Sequence, residues 1–146
     1  FIGFYCNENT NTVGFDTTVN GPTSASALYI QLRDASNLLT LNIYNGTSVT
    51  VSNTNAIGSY HLQVPAGIGS GVSSTLYKNG TSIVTATHGT TAAASGALRV
   101  PGSFTNANGG GRRFAVSYVG TGSLTLPQIT ILNTIINTYV TALGRQ

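Results

Sequence analysis

Short runs in which apolar and polar side chains alternate, separated by Gly, Asn and Ser, fill the first 120 residues of the chain. A period of two puts alternate side chains on opposite faces of an extended backbone, the pattern of sheets packed on one side. Residues 27–33 read ALYIQLR, with Leu28, Ile30 and Leu32 on one face and Tyr29, Gln31 and Arg33 on the other. Residues 39–44 read LTLNIY, with Leu39, Leu41 and Ile43 inward and Thr40, Asn42 and Tyr44 outward. Asn45-Gly46 follows as a turn pair that tolerates positive φ, and SVTVS is the next strand. Residues 59–64 set Tyr60, Leu62 and Val64 against an outward His61 and Gln63. The clearest hairpin joins residues 74–78 to 81–87 through Asn79-Gly80. Residues 88–111 read as long loops around a short strand near 97–100. A last strand at 113–119 carries Phe114, Val116 and Tyr118 on its core face.

The period then changes. Leu126, Ile129, Leu132, Ile135, Ile136, Tyr139 and Leu143 recur at helical spacing. Thr125 is placed to cap this helix and Gln128, three residues on, to complete a capping box. Pro127 falls in the first turn, Gly144 is a natural stop, and Arg145 suits the last carbonyls. The fold class expected is all-β, a two-sheet sandwich with one C-terminal helix. A chain of 146 residues accommodates it as one domain, with strands over about 1–119 and the helix over about 126–143.

Charge excludes several functions. Charged residues make up 6% of the chain, against about a quarter in a typical globular protein, while Ser, Thr and Asn supply about a third. Six Lys and Arg are too few for a surface that tracks phosphates, so nucleic acid is not an expected partner. No apolar run reaches the length of a membrane span, and no membrane insertion is expected. The single Cys6 cannot form a disulfide within the chain and reads as a buried thiol. The chain contains no methionine, as expected of a processed product or of part of something longer.

Catalytic chemistry is poorly supplied. Glu8, Asp16 and Asp34 are the only carboxylates, far apart in sequence, and Glu8 with Asp16 is the one pair that could flank a glycosidic bond. His61 and His88 read as surface residues without the further ligands that zinc requires. No GxSxG elbow accompanies them, and NANGGGRR lacks the lysine and following helix of a phosphate loop. Both Asn-Gly-Thr triplets fit the glycosylation pattern, yet each is explained by a hairpin turn. The chain is therefore expected not to be an enzyme and to need no metal or cofactor. What remains is binding by a polar-aromatic patch. Tyr29, Gln31, Arg33, Asn42 and Tyr44, joined by His61 and Gln63 if the strands lie side by side, have the chemistry that holds sugars.

Two stretches carry a family resemblance. GSYHLQVPAGIGSGVSSTLYKNGTSIV resembles the part of laminin-G and concanavalin-like jelly rolls in which a strand leads into a Tyr-x-Asn-Gly hairpin, here residues 77–80. The C-terminal stretch from Arg112 to Gln146 resembles the closing strand and helix of laminin-G-like domains in bacteriophage structural proteins, with Gly120, Gly122, Leu124, Thr125 and the Leu-Gly-Arg-Gln terminus as matching residues. The opening FIGFYCNENT looks like that family's early strand. The resemblance implies a jelly roll exposed on a virion or outside the cell, in a tail fibre, head fibre or decoration protein. Its implied partners are host-cell surface glycans, other virion proteins and further copies of itself. The acidic calcium ligands and the catalytic Glu-x-Asp-x-x-Glu strand of relatives sharing that fold have no counterpart here. Two other readings stay open: a purely structural decoration protein that binds no sugar, and a bacterial surface filament or adhesin subunit.

Overall fold

The alternating stretches fold into two antiparallel sheets. A computed structural model describes residues 1–11, 16–19, 28–44, 46–66, 69, 71–90, 98–99 and 113–144. The elements in chain order are β1 (Ile2–Cys6), β2 (Thr17–Val19), β3 (Leu28–Gln31), β4 (Leu38–Ile43), β5 (Val49–Ser52), β6 (Gly58–Gln63), β7 (Ser73–Lys78), β8 (Thr81–Thr87), β9 (Leu98–Arg99), β10 (Phe114–Val119) and α1 (Leu126–Ala142). One sheet has the order β10-β1-β6-β7-β8 and the other β5-β4-β3-β2-β9.

The sheets pack face to face. Leu28, Ile30, Leu32, Leu39, Leu41 and Ile43 of the second sheet meet Ile2, Phe4, Tyr60, Leu62, Leu76 and Val84 of the first in one continuous apolar cluster. Leu28, Ile30, Leu32, Leu39, Leu41, Ile43, Tyr60 and Leu62 are inward as the alternation leads one to expect, and burying each Leu or Ile contributes about 1.5–3 kcal/mol. One end of the sandwich is closed by a buried polar network. Asp16 Oδ2 accepts the Leu32 N–H at 2.6 Å, and Asn53 Nδ2 donates to the Leu32 carbonyl at 2.6 Å. Lys78 Nζ donates to Asn53 Oδ1 at 2.7 Å, and Tyr60 donates its hydroxyl to the Ala56 carbonyl at 3.1 Å. Most of these polar groups are tolerated at this depth because one satisfies another, while Asp16 Oδ1 is buried and takes part in none of these hydrogen bonds.

A second, smaller core lies on the opposite face of the first sheet. Here α1 covers Tyr5, Ala115, Val116 and Tyr118 with Leu132, Ile136 and Val140. The last strand departs from its expected facing. Pairing between β1 and β10 shifts register at Tyr5/Cys6, so that Tyr5 opposes Val116 and Cys6 opposes Phe114. Ala115 is the extra residue of a bulge, which reverses the facing of everything beyond it. Phe114 therefore enters the core between the sheets, edge-on to Phe4 with ring centroids 5.1 Å apart, while Val116 and Tyr118 turn under the helix.

Turns and caps follow local chemistry, with one exception. Asn79 and Gly80 have φ of 51° and 82°, the pair of positive values that a two-residue hairpin needs. Asn79 Oδ1 also accepts the Ser59 N–H at 2.9 Å. In the β4–β5 connection the positive φ falls instead on Tyr44, at 51°, and Gly46 N–H bonds back to the Ile43 carbonyl at 2.9 Å; Asn45 lies outside the described residues. At the start of α1, Gln128 Oε1 accepts the Thr125 N–H at 2.8 Å and its hydroxyl at 3.0 Å. Gly144, at φ 63°, ends the helix as expected; Arg145 lies outside the described residues.

Candidate functional site

Part of the expected patch forms. β3 and β4 are neighbours, and their register places Tyr29 opposite Asn42 and Gln31 opposite Thr40. The next strand adds Thr50 opposite Thr40. One hydroxyl organises the group: Ser48 Oγ lies 3.0 Å from the Tyr29 hydroxyl and accepts from Asn42 Nδ2 at 3.0 Å. Asn42 Nδ2 also donates to the Gly46 carbonyl at 2.7 Å. The outer face of β3, β4 and β5 thus presents the Tyr29 ring, the Gln31 amide and the Thr40 and Thr50 hydroxyls, while Asn42, only 7% exposed, is buried and serves to hold Ser48 in place. Side chains held by such bonds lose little further freedom when a ligand arrives.

Arg33 and Tyr44 are displaced from this face. Arg33 follows β3 and clamps two loops: its Nε and Nη2 donate to Asn37 Oδ1 at 2.8 and 2.6 Å, and its Nη1 to Asn9 Oδ1 at 2.9 Å. Asn9 Oδ1 in turn accepts the Ala56 N–H at 2.8 Å, so the guanidinium closes a structural ring rather than facing a ligand. Tyr44, in its left-handed conformation, leaves the strand and lies half-buried and edge-on to His88, with centroids 5.2 Å apart. Burial raises its phenol pKa.

His61 and Gln63 belong to a different surface. They lie on β6, in the other sheet, on the face that α1 and β10 cover. His61 is only 4% exposed, with Nδ1 3.3 Å from the Tyr118 hydroxyl and its ring 5.1 Å from that of Phe1. Burial lowers its pKa to about 4, outweighing the opposing effect of the Gln63 side chain. Gln63 grips the entry to α1, accepting the Leu124 N–H at 3.0 Å and donating to the Leu124 carbonyl. Alternation identified their shared face correctly, but β1 and β6 are covered on both faces. The signal was present in β1, where IGFYC is buried at all five positions without alternation, as a strand covered on both sides requires.

His88 is also internal, at 3% exposed, and its Nε2 stands 2.7 Å from Ser74 Oγ. Sequence spacing gave no hint of this pairing, which the β7–β8 hairpin creates by bringing the end of β8 beside the start of β7. It has the geometry of a nucleophile with its base, yet Ser74 has no exposed surface and a substrate has no approach to it. The three carboxylates are engaged by backbone N–H groups. Asp16 is buried against Leu32, Glu8 Oε2 accepts the Arg113 N–H at 3.0 Å, and Asp34 Oδ1 accepts those of Ser36 and Leu38 at 2.8 and 2.9 Å. Among the described residues no three His, Cys, Asp or Glu side chains are grouped to hold a metal ion, and no helix is long and apolar enough to cross a membrane.

A feature of another kind flanks the helix. Leu126, Ile135, Tyr139 and Leu143, four of the residues that recur at helical spacing, are exposed, as are Ile131 and Val119. An open groove of about 450 Å³ runs between α1 and β10, lined by Phe1, Tyr118, Val119, Leu124, Ile131 and Ile135 among others. Comparison of the chain with protein-family models, with curated proteins and with solved structures found no match.

Proposed function

We propose that this β-sandwich is a non-catalytic recognition domain of the jelly-roll type, displayed on a virion surface, that adheres to host-cell glycans through the outer face of β3, β4 and β5. The observation that carries the reading is the cross-strand pair Tyr29 and Asn42, tied through Ser48 and flanked by Gln31 and Thr40. A phenol ring offers an apolar platform for a sugar ring, and the Gln31 amide and threonine hydroxyls beside it match the donors and acceptors of sugar hydroxyls, with the buried Asn42 bracing the platform. The scarcity of charge fits a neutral polysaccharide better than an acidic one. The virion setting rests on the resemblance of the hairpin and C-terminal stretches to phage laminin-G-like domains. Binding of the purified chain to a glycan array tests the reading. Tyr29→Ala and Gln31→Ala are each expected to weaken the captured glycan roughly tenfold, the equivalent of one lost contact, with circular dichroism unchanged. Absence of binding to any glycan on the array would sink it.

A second reading has its own support. The exposed apolar side chains of α1 and the end of β10 favour a structural role, in which the domain assembles into or decorates a particle without touching sugar. Host adsorption that survives Tyr29→Ala and Gln31→Ala but fails when the α1 face is altered would select this reading over the first.

A further inference from the structure

The apolar arc of α1 is about twice as wide as the part this chain covers. At about 100° per residue, Ile129, Leu132, Ile136 and Val140 form the stripe that meets the sheet, and Ile135, Ile131 and Tyr139 continue the arc around one flank. The opposite flank is polar, carrying Asn133, Thr134, Asn137 and Thr141, and Asn133 sits beside the β7–β8 turn at Gly80. The apolar flank therefore looks the other way, toward β10, and shares a groove with Tyr118 and Val119. Val119, Ile131, Ile135 and Tyr139 are each more than half exposed.

Among the described residues β10 is the last strand of its sheet. Phe1 and Gly120 exchange backbone hydrogen bonds at 2.9 and 3.1 Å, so the alternation of an antiparallel ladder points the N–H and C=O groups of Val119 and Ser117 away from β1. Edge strands are usually blunted by lysine or another charge, or by proline. Here the whole span from Phe114 to Gly144 contains no Asp, Glu, Lys, Arg or His.

We infer that this face, the edge of β10 together with the Ile131/Ile135/Tyr139 flank of α1, is the seat of a second copy of the chain, related by a two-fold axis. Strand edge pairs with strand edge antiparallel, and helix flank packs on helix flank. The occupant follows from charge. Neither β10 nor α1 carries a charged side chain for an acidic or basic partner to recognise or to repel a second copy, which would present the same neutral surface. The size also suffices. A 17-residue helix is about 25 Å long, and a strip of that length spanning helix and strand edge, about 20 Å across, projects to about 500 Å². Two such faces bury about 1,000 Å² together, the size of a weak, reversible interface. The inference is independent of the glycan reading, because it uses the opposite side of the sandwich.

Sedimentation of the purified chain over a range of concentrations tests it, together with amide exchange at Ser117 and Val119. A reversible monomer–dimer equilibrium is expected, in which Ile135→Glu raises the dimer dissociation constant roughly a hundredfold by burying an unpaired charge. Thr134→Glu, which puts the same charge on the exposed polar flank, is expected to leave it unchanged. Exchange at Ser117 and Val119 is expected to slow as concentration rises. Should Ile135→Glu fold poorly by circular dichroism, Val119→Lys carries the same expectation. A chain that stays monomeric up to about 1 mM, or a dimer indifferent to Ile135→Glu and Val119→Lys, overturns the inference. A dimer without protection of the two amides overturns the strand-edge half of it.

Discussion

The phenol ring of Tyr118 lies directly on the bare backbone of Gly3, its cross-strand partner in the β1–β10 pair, in space that a β-carbon at Gly3 would occupy. From there Tyr118 reaches His61 Nδ1 at 3.3 Å, with the two rings stacked 6.0 Å apart. The missing side chain at position 3 is thus what lets the Tyr118 ring cross β1 to reach His61 on β6.

Gly3→Ala should therefore destabilise the fold although it adds only one methyl group. The ring cannot retreat without disturbing His61 and the groove beneath α1. Overpacking of this kind costs about 1–3 kcal/mol, which urea unfolding would register as a lower midpoint with unchanged slope. An unaltered midpoint would mean that Tyr118 is free to move.

Acid should weaken the same region. The His61 imidazole has its pKa lowered from 6.5 to about 4 by burial. Above 6.5 it is neutral in both folded and unfolded chains and contributes no pH dependence. Between 6.5 and 4 only the unfolded chain takes up the proton, so stability falls as pH falls, by up to about 1.4 kcal/mol per unit. Unfolding measured from about pH 7 to about pH 5 should show this slope, before the carboxylates titrate, and His61→Gln should flatten it.

Neighbouring helix residues should respond oppositely. Ile136 is 5% exposed and packs with Tyr5, whereas Ile135 is 59% exposed. Ile136→Ala is expected to cost about 2–4 kcal/mol and Ile135→Ala less than about 0.5 kcal/mol, measured at concentrations where the chain is monomeric. Equal costs would show that the helix docks in another rotation.

Asp16→Ala should be severe for a change of one small residue. It leaves the Leu32 N–H, which Asp16 Oδ2 accepts at 2.6 Å, buried without that acceptor. Loss of such a partner costs about 1–3 kcal/mol, seen as a drop in melting temperature. A melting temperature within error of the parent chain would mean that another group replaces the carboxylate.

The amino-acid sequence by itself determined which side chains share a face, where the Asn79-Gly80 turn falls, and where extended chain gives way to helix. Alternation of Leu28, Ile30 and Leu32, or of Leu39, Leu41 and Ile43, is a local property of the pleat and needs no knowledge of neighbours. It also brought Tyr29, Gln31 and Asn42 together, because consecutive strands joined by a short connection pair with each other. Only the tertiary structure decided which faces stay wet. His61 and Gln63 alternate like surface residues, yet α1 and β10 come back from more than 50 positions away to cover them. The bulge at Ala115 turned Val116 and Tyr118 to the far side, and the β7–β8 hairpin set Ser74 against His88. Burial is a relation between distant segments, and a periodicity of two records a side chain's direction without recording what it will meet there.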